Sequence, residues 1–261
     1  MRSLSIGATG MLAQQLNVEV ISNNLANMST TGFKRQRAEF QDLLYENIKR
    51  MGTTSSDAGT VIPSGIQLGT GVKTGSVYRI MGQGNMTSTD NTYDLGVQGR
   101  GYFRILLPSG EEAYTRAGAF QLNGDGQIVT QDGYTVQPGI VIPQNATEVA
   151  ISATGEVAVT LPNQVAPQIV GQLDLATFIN PAGLAATGDN LFLETPASGA
   201  ATVGLPGDEG FGTLLQGYVE AANVNPVQEI TNLISAQRAY ELNSKVITAS
   251  DEMLQTITQI R

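Results

Sequence analysis

The side chains that could support chemistry in this sequence are limited, because its 261 residues include no cysteine and no histidine. The lack of cysteine excludes disulfides, thiolate metal sites and cysteine nucleophiles. The lack of histidine excludes Ser–His catalysis and removes the commonest metal ligand. An enzyme with this composition would have to act through carboxylates, Lys, Tyr or Ser alone.

Acidic patterns are the remaining candidates for such a site, and each has a simpler interpretation. Residues 123–127 read NGDGQ and resemble the start of a calcium loop. However, Ile128 stands where the EF-hand pattern needs glycine and the twelfth position is not Glu, so we expect a tight hairpin. Glu111-Glu112 and Asp208-Glu209 are adjacent pairs, whose side chains point apart on a strand and fit solvated turns. The sequence therefore predicts no enzyme, no metal and no cofactor.

The charge and hydropathy of the chain argue against nucleic acid as a partner and against a membrane-spanning segment. The net charge is −9 at pH 7, so duplex nucleic acid is a poor partner, because phosphate binding needs clustered Lys and Arg. No run of 18 apolar residues is present, so no segment is expected to span a lipid bilayer. The first 17 residues interrupt their apolar positions with Ser, Gly, Thr and Gln, unlike a cleaved signal peptide.

Glycine and proline divide the chain into three parts. Residues 1–50 contain three Gly and no Pro, residues 51–220 contain 27 Gly and nine Pro, and residues 221–261 contain no Gly and one Pro. Because Gly and Pro disfavour helix interiors, the ends can be helical and the middle mostly cannot. The middle also holds 15 acidic and only 5 basic residues, so the acidity of the chain belongs to it.

The C-terminal part predicts a long helix that starts at Asn225 and Pro226, a good capping pair, and meets no breaker through Arg261. Its length of about 36 residues corresponds to roughly 54 Å. Apolar residues recur every seven positions in two neighbouring rows, which is typical of a coiled-coil seam. The first row is Leu233, Tyr240, Ile247 and Leu254, and the second is Ala239, Val246, Met253 and Ile260.

The N-terminal part predicts a matching helix that ends near residues 29–32. Its row is Leu4, Met11, Val18 and Leu25, with Ile21 beside it. We expect the two terminal helices to pair as a coiled coil, and ordinary packing of each helix onto a globular domain is the alternative. A second short helix is predicted from Gln36 to Arg50, with Phe40, Leu43, Leu44 and Ile48 on one face.

The middle of the chain predicts antiparallel β structure, in a sandwich or an irregular barrel. Runs rich in Val, Ile, Tyr, Phe and Leu alternate with turn signals such as Asn-Gly and Asp-Gly. No helical stripe separates these runs, so a βαβ fold is not expected. The predicted strands are 102–107, 113–116, 120–122, 127–130, 134–137, 149–152 and 157–161.

Six ordered motifs then give a family resemblance. Residues 21–45 read ISNNLANMSTTGFKRQRAEFQDLLY, and they are followed by DLGVQGRGYF at 94–103, YTRAGAF at 114–120, DGQIVTQDG at 125–133, QGYVEAANVN at 216–225 and SAQRAYELNSK at 235–245. This order resembles the bacterial flagellar axial proteins of the rod and hook. The positions that carry the resemblance at the two ends are Asn23, Asn24, Leu25, Ala26, Asn27, Thr31, Gly32, Phe33, Lys34, Arg238, Ala239 and Glu241.

Within that family the chain is most similar to the distal rod form, and the proximal rod form is the nearest alternative. Hook proteins carry an added outer domain that 261 residues cannot hold. The resemblance implies that an extended segment, here Glu46–Gly65 with Pro63, Ser64 and Gly65, locks neighbouring subunits and keeps the rod straight. Pro226 departs from many members, and we expect it only to sharpen the start of the helix.

The resemblance implies an α+β protein with four segments. These are an N-terminal coiled-coil helix (1–35), a connecting helix and extended loop (36–71), a β-rich outer domain (72–220) and a C-terminal coiled-coil helix (221–261). The terminal helices would form an inner coiled-coil domain whose order depends on assembly. Asn23, Asn24 and Asn27 would either cap the helix or supply amide hydrogen bonds between subunits.

The resemblance also implies a function, a location and partners. The chain would polymerise helically into the distal rod, the drive shaft that transmits motor torque to the hook. It would be exported to the periplasm and across the outer envelope by the flagellar export apparatus. Its partners would be itself, the proximal rod and hook proteins and the surrounding basal-body rings. Two other classes stay open from the residues alone, a secreted β-rich adhesin or binding module and a carboxylate-driven hydrolase.

Overall fold

The computed structural model describes residues 2–51, 64–162 and 166–259, with the side chain of Ile257 excepted. Within these ranges the chain forms two compact units. Unit 1 comprises residues 2–25, 36–51, 64–78 and 226–259. Unit 2 comprises residues 26–35 and the described part of 79–225. The α+β class is confirmed, with helices at the two ends and antiparallel strands between them.

Unit 1 contains both long helices and four strands. Helix α1 spans Arg2–Ala26 and helix α2 spans Pro226–Gln259, which confirms the helices predicted at the chain ends. The strands are β1 (Gln36–Asp42), β2 (Tyr45–Lys49), β3 (Ile66–Gly69) and β4 (Val72–Arg79). β1 pairs with β4, and β2 pairs with β3 in an antiparallel ribbon.

The short helix predicted from Gln36 to Arg50 is wrong, because this segment forms β1 and β2. The spacing of its apolar residues fits a helix, but the hydrogen-bonding partners of its backbone lie beyond residue 65. The Leu43 N–H donates to the Gly71 carbonyl at 2.9 Å, and the Thr70 N–H donates to the Leu44 carbonyl at 3.2 Å. Strand pairing with a distant segment therefore overrides the local helical pattern.

Unit 2 is built from sixteen strands in short antiparallel sheets. The largest sheet has seven strands, and others have three or two. The strands are β5 (Met86–Ser88), β6 (Leu95–Gln98), β7 (Phe103–Leu106), β8 (Glu112–Thr115), β9 (Gln121–Leu122), β10 (Ile128–Val129), β11 (Thr135–Val136), β12 (Glu148–Ile151), β13 (Glu156–Thr160), β14 (Gln168–Gln172), β15 (Leu175–Thr177), β16 (Ala185–Gly188), β17 (Leu191–Leu193), β18 (Thr202–Gly204), β19 (Thr213–Gln216) and β20 (Tyr218–Glu220).

The sheet topology follows the hairpins predicted from the turn residues. β7 pairs with β8, β9 with β10, β10 with β11 and β12 with β13, all antiparallel. The seven-stranded sheet has the order β16-β17-β8-β7-β11-β10-β9, so two pairings between strands that are not neighbours in the chain, β17 with β8 and β7 with β11, join three local groups. β13 also pairs with β14 and β15 with β18, and the pairs β19–β6 and β20–β5 bring the end of unit 2 back to its beginning.

The core of unit 2 lies on the inner faces of these sheets. Phe103, Phe120 and Leu95 are fully buried, and the two phenylalanine rings meet edge to face with centroids 5.0 Å apart. A second cluster consists of Tyr102, Tyr114, Phe178 and Phe192 with edge-to-face contacts among them.

The compact units do not follow the segments expected from the sequence. Strand β4 lies in unit 1 because it pairs with β1, although residues 72–220 were expected to form one β-rich domain. Residues 26–35 lie in unit 2, although they were expected to continue the N-terminal helix segment. The hydrogen bonds of Gly32 and Lys34 described below explain the second difference.

Candidate assembly site

The two helices of unit 1 contact each other near both ends of α1, in antiparallel order. A Cβ atom at Gly7 would lie 2.9 Å from Ile247 Cγ1, and one at Gly10 would lie 2.9 Å from Asn243 Nδ2. Near the other end of α1, Asn24 Nδ2 donates to Glu229 Oε2 at 3.3 Å. Partner numbers on α2 fall as those on α1 rise, and the two glycines permit the closest approach.

The residues of α2 that face α1 form a seven-residue row that the sequence analysis missed. Glu229, Ala236 and Ser250 are buried, and Asn243 contacts Gly10. These residues are small or polar, so a search for apolar periodicity passes over them. Their seven-residue spacing could have indicated this contact row, because the two predicted apolar rows of α2 lie on either side of it.

The residues of the predicted apolar rows differ in how deeply they are buried. On α1, Ile21 is buried and Leu4, Met11, Val18 and Leu25 are half-buried. On α2, Leu233, Ile247 and Leu254 are half-buried beside the contact row. Tyr240, Val246 and Met253 are exposed, and their part in a coiled-coil seam stays a prediction. Ile260 lies outside the described residues.

Helix α2 also exposes apolar side chains away from α1. Val227 and Leu242 have 74% and 62% of their surface accessible, and Met253 has 59%. Ile230, Ile234 and Val246 are each almost half exposed. A helix that buries a small, polar row and exposes its larger apolar residues has surface that folding of one chain leaves uncovered.

The signature segment 27–34 turns between α1 and β1 and packs within unit 2. Gly32 has a φ of +69°, and a Cβ there would lie 2.6 Å from the Ala117 nitrogen, so only glycine fits. The Gly32 N–H donates to the Glu220 carbonyl at 2.7 Å. Asn190 Nδ2 donates to the Thr31 carbonyl at 3.1 Å. Phe33 is half-buried, and its carbonyl accepts the Asn223 N–H at 3.3 Å.

Lys34 ends this segment in a buried ionic cluster that the sequence analysis did not foresee. Lys34 Nζ lies 2.6 Å from Glu220 Oε1, and Arg116 Nε donates to Glu220 Oε2 at 2.5 Å. Glu220 Oε1 also accepts the Gly84 N–H at 2.7 Å, and Lys34 donates to the Gly82 carbonyl at 2.9 Å. Each charge therefore has several partners, as buried charges require.

The electrostatics of the cluster favour the ion pairs. Burial alone would raise the pKa of Glu220, but the charges of Arg116 and Lys34 outweigh it and hold that pKa below its ordinary value. Burial lowers the pKa of Lys34, and the opposing attraction of Glu220 does not fully offset it. Two cations share one carboxylate, so the cluster carries a net positive charge. Arg116 in the motif YTRAGAF and Glu220 in the motif QGYVEAANVN are charged residues among mostly uncharged ones, and this could have indicated the buried cluster from the sequence.

The asparagine residues of the signature have distinct environments. Asn24 is 1% exposed, its Nδ2 donates to the Gln36 carbonyl at 2.8 Å, and its Oδ1 accepts the Gln36 N–H at 2.7 Å. Its amide thus fixes the start of β1 within the chain, which is neither helix capping nor an intersubunit contact. Asn27 Oδ1 accepts the Thr30 hydroxyl at 3.2 Å in the turn after α1. Asn23 and Ala26 are exposed.

The remaining signature and segment residues lie mostly at the surface. On α2, Arg238 and Glu241 are exposed and Ala239 is half-buried. Glu46 on β2 forms an exposed ion pair with Arg2, with 2.5 Å between Oε1 and Nη2. Ser64 is exposed, and a Cβ at Gly65 would lie 2.3 Å from the Lys49 carbonyl oxygen, so the glycine packs directly on the end of β2. Pro63 lies outside the described residues.

Residues 2–51, 64–162 and 166–259 contain no group of three or more Asp and Glu side chains arranged to hold a metal ion. None of the helices described is long and apolar enough to cross a bilayer.

Comparison with protein families gives three matches in chain order. The family of flagella basal body rod proteins matches residues 4–34, and the flagellar hook protein FlgE/F/G D1 domain matches residues 96–159. The C-terminal family of flagellar basal body rod FlgEFG proteins matches residues 215–260. The first and last matches cover most of α1 and α2, and the middle match begins in β6 and ends in β13.

Full-length relatives agree with these matches. The chain is 64% identical over 261 residues to the flagellar basal-body rod protein FlgG of Caulobacter vibrioides, with all of both chains covered. It is 50% identical over 258 residues to the protein of the same name from Buchnera aphidicola, with 99% of each covered. To the flagellar basal-body rod protein FlgF of Caulobacter vibrioides it is 31% identical, over 96% of this chain and 94% of the relative. The chain belongs to the family of flagellar basal-body rod and hook proteins.

Proposed function

We propose that this chain is a structural subunit of the distal flagellar rod, which polymerises helically into the shaft that transmits motor torque to the hook. The identity of 64% to FlgG, the distal rod protein, against 31% to FlgF of the same organism supports the distal form over another rod protein. A structural role also fits a sequence without cysteine, histidine or any recognised catalytic motif.

The observation that carries this proposal is the exposed apolar surface of α2. Val227, Leu242 and Met253 are each more than half exposed, although they lie on a long helix that already has a partner. Identical subunits in heterologous contact would cover such a surface and generate an open helical polymer. Tyr240, Val246 and Ile260 are proposed to contribute to the same contacts.

We further propose that α1 and α2 form a coiled-coil inner domain in the polymer, with unit 2 as the outer domain. The antiparallel contacts of Gly7, Gly10 and Asn24 with α2 support the pairing. The seven-residue spacing of Glu229 and Ala236, which continues to Ser250, is the spacing of a coiled-coil contact row.

The segment Glu46–Gly65 is proposed to lock neighbouring subunits and keep the rod straight. The ribbon of β2 and β3 that flanks it leaves Tyr45, Ile48 and Ile66 at least half exposed. Its ion pair between Arg2 and Glu46 is exposed and contributes little by itself. Neighbouring subunits would therefore supply most of the contacts that hold this ribbon.

The proposed location is the basal body, reached by export into the periplasm and across the outer envelope through the flagellar export apparatus. The proposed partners are further copies of the chain, the proximal rod and hook proteins, and the surrounding rings. These partners follow from the family and from the uncovered surface of unit 1.

Removal of residues 226–261 tests the polymer. The truncated chain should lose assembly into rods and fail to restore motility, because α1 loses its partner and the exposed surface of α2 is absent. Unit 2 should keep its thermal unfolding transition, since its core includes no residue of α2. Rods formed by the truncated chain would contradict the proposal.

Deletion of residues 46–65 tests the straightness role. We expect bent or irregular polymers in electron micrographs, because the contacts that lock neighbouring subunits are lost. A Gly/Ser replacement of the same length serves as the control that separates loss of side chains from loss of chain length. Straight polymers from both variants would remove this role.

A further inference from the structure

A cavity of about 250 Å³ lies within unit 2, beside the buried ionic cluster. Its walls include three cationic side chains, Lys34, Arg100 and Arg116. Tyr102 and Phe178 provide an apolar wall next to them. Among the described residues that line the cavity none is acidic, and Glu220 lies behind it, bonded to two of the cations.

The cavity is positively charged, whereas residues 51–220, which supply most of its lining, are acidic overall. Residues 51–220 hold 15 acidic and 5 basic side chains, and two of those five basic residues line the cavity. Lys34, contributed by the signature segment, adds a third cation. One carboxylate offsets one of these charges, so a net positive charge remains in an acidic unit.

The cavity also has hydrogen-bond donors that are not fully used within the described part of the chain. The Lys34 ammonium has three N–H groups and uses two of them, on Glu220 and the Gly82 carbonyl. Arg100 is exposed, and among the described residues its guanidinium has no hydrogen-bond or ion-pair partner. Burial lowers the pKa of Lys34, so a second anion beside it would stabilise its charged form.

The shape of the wall restricts the ligand. A cationic end next to Tyr102, Phe178 and Met81 suits a carboxylate on a short apolar stem. A Glu or Asp side chain has this form, and carboxylates make strong charge-assisted hydrogen bonds with Arg and Lys.

We propose that this cavity receives a carboxylate side chain from an acidic turn of a second copy of the chain. The inference rests on the proposed self-assembly, and charge complementarity selects the occupant, because unit 2 presents exposed acidic turns while the cavity is basic. The exposed turn carboxylates of unit 2 that could reach a neighbouring cavity are Glu111, Asp125, Asp132, Asp208 and Glu209.

The first test uses the full chain in dilute solution and propionate, which carries the carboxylate of a Glu side chain. The backbone amide resonances of Gly99 and Gly101, which line the cavity, should shift saturably with propionate and not with the neutral analogue propionamide. Arg100→Ala should weaken this binding roughly three- to tenfold, because it removes a charge-assisted partner. Gln121→Glu makes the same change in net charge on exposed β9, outside the cavity, and should leave the binding nearly unchanged. Absence of a saturable shift would overturn the proposal.

The second test identifies the source of the carboxylate. Arg100→Ala should raise the protein concentration needed for polymerisation severalfold over Gln121→Glu. If wild-type protein polymerises and the two variants do so equally, a second copy does not fill the cavity, although the proposed function stands. If wild-type protein does not polymerise at all, both proposals fail.

A crosslink then gives the position of the contact. Arg100→Lys keeps the charge and introduces an amine that a carbodiimide can couple to a nearby carboxylate. In polymers mixed from labelled and unlabelled copies, mass spectrometry should find this amine joined to an acidic turn of the other copy. Crosslinks confined to one copy would contradict an intermolecular occupant, and propionate binding without any intermolecular crosslink would indicate a site for a free carboxylate instead.

Discussion

The two units of this protein differ most in where they place their apolar side chains. Among the described residues, unit 2 holds 25 of the 29 buried apolar residues, whereas unit 1 holds four. Of the 24 large hydrophobic residues that are exposed, 16 belong to unit 1. Unit 2 therefore has a core of its own, while unit 1 consists of long elements with too little burial to stabilise them alone.

This difference assigns folding stability mainly to unit 2 and the proposed assembly contacts mainly to unit 1. Burial of apolar surface is the main favourable contribution to folding, so unit 2 can be stable as one copy. The helices and the ribbon of unit 1 leave apolar side chains exposed, and the proposed assembly would cover them. Both features come from one chain, and they predict different responses to dilution, to mutation and to pH.

The largest expected contrast is in amide hydrogen exchange of the dilute monomer. The paired strands β7 and β8 of unit 2 should exchange at least about a thousandfold more slowly than residues 2–26 and 230–259, because the helices lack a core. Mass spectrometry of exchanged peptides measures this directly. Equal, strong protection of the helices in dilute solution would show that unit 1 needs no assembly to be ordered.

Lys34→Met should clearly destabilise unit 2. It removes the buried hydrogen bonds of Lys34 to Glu220 and to the Gly82 carbonyl but leaves Glu220 paired with Arg116, so we expect a loss of about 3 kcal/mol. Urea unfolding followed by tyrosine fluorescence measures this loss. Lys73→Met, on exposed β4 of unit 1, is the control and should stay within about 0.5 kcal/mol. A loss below about 1 kcal/mol for Lys34→Met would contradict the role given to the cluster.

The same cluster predicts a pH dependence of unit 2. The pKa of Glu220 is below its ordinary value in the folded chain, so its carboxylate stabilises the fold above the unfolded pKa. That contribution is lost as the pH falls through the folded pKa, in the acid range below about 4.5. Acid unfolding of wild type should therefore be steeper than that of Lys34→Met, in which Glu220 has lost one of the charges that lower its pKa. Parallel acid profiles would refute this assignment.

Gly32→Ala should have a smaller but clear effect. It forces a Cβ into an unfavourable φ and against the Ala117 nitrogen, so we expect a loss of about 2 kcal/mol in unfolding free energy. Gly217→Ala is the matched control, because Gly217 has a similar φ of +74° with no atom within 4 Å of the added Cβ. A loss no larger than that of the control would mean that the contact with Ala117 is not limiting.

The smallest effect on the monomer is expected at the exposed side of α2. Replacing Val246 and Met253 together by Ser should change monomer stability by less than about 0.5 kcal/mol, since about half of each side chain is already accessible to solvent. The same variant should polymerise poorly, as sedimentation would show. Replacement of half-buried Leu233 by Ser is the comparison, and it should disturb the helix pair itself. Normal assembly of the double variant would remove this face of α2 from the intersubunit contact.

The sequence by itself determined the features that depend on nearby residues. The helices of both ends follow from runs without Pro, with only Gly7 and Gly10 in residues 2–26 and no Gly after Pro226. The hairpins of β9, β10 and β11 follow from Asn-Gly and Asp-Gly turns between short apolar runs. These signals are local, because capping, helix propensity and turn geometry act within a few residues.

Only the tertiary structure decided the features that join distant residues. Strands β1 and β2 replaced a predicted helix because their partners lie across residues 52–63, and the contact row of Glu229, Ala236 and Ser250 was hidden by its small and polar side chains. Glu220 meets Lys34 over a separation of 186 residues and Arg116 over 104. Strand pairing and buried charge depend on which segments meet, and no local pattern in a single sequence encodes that choice.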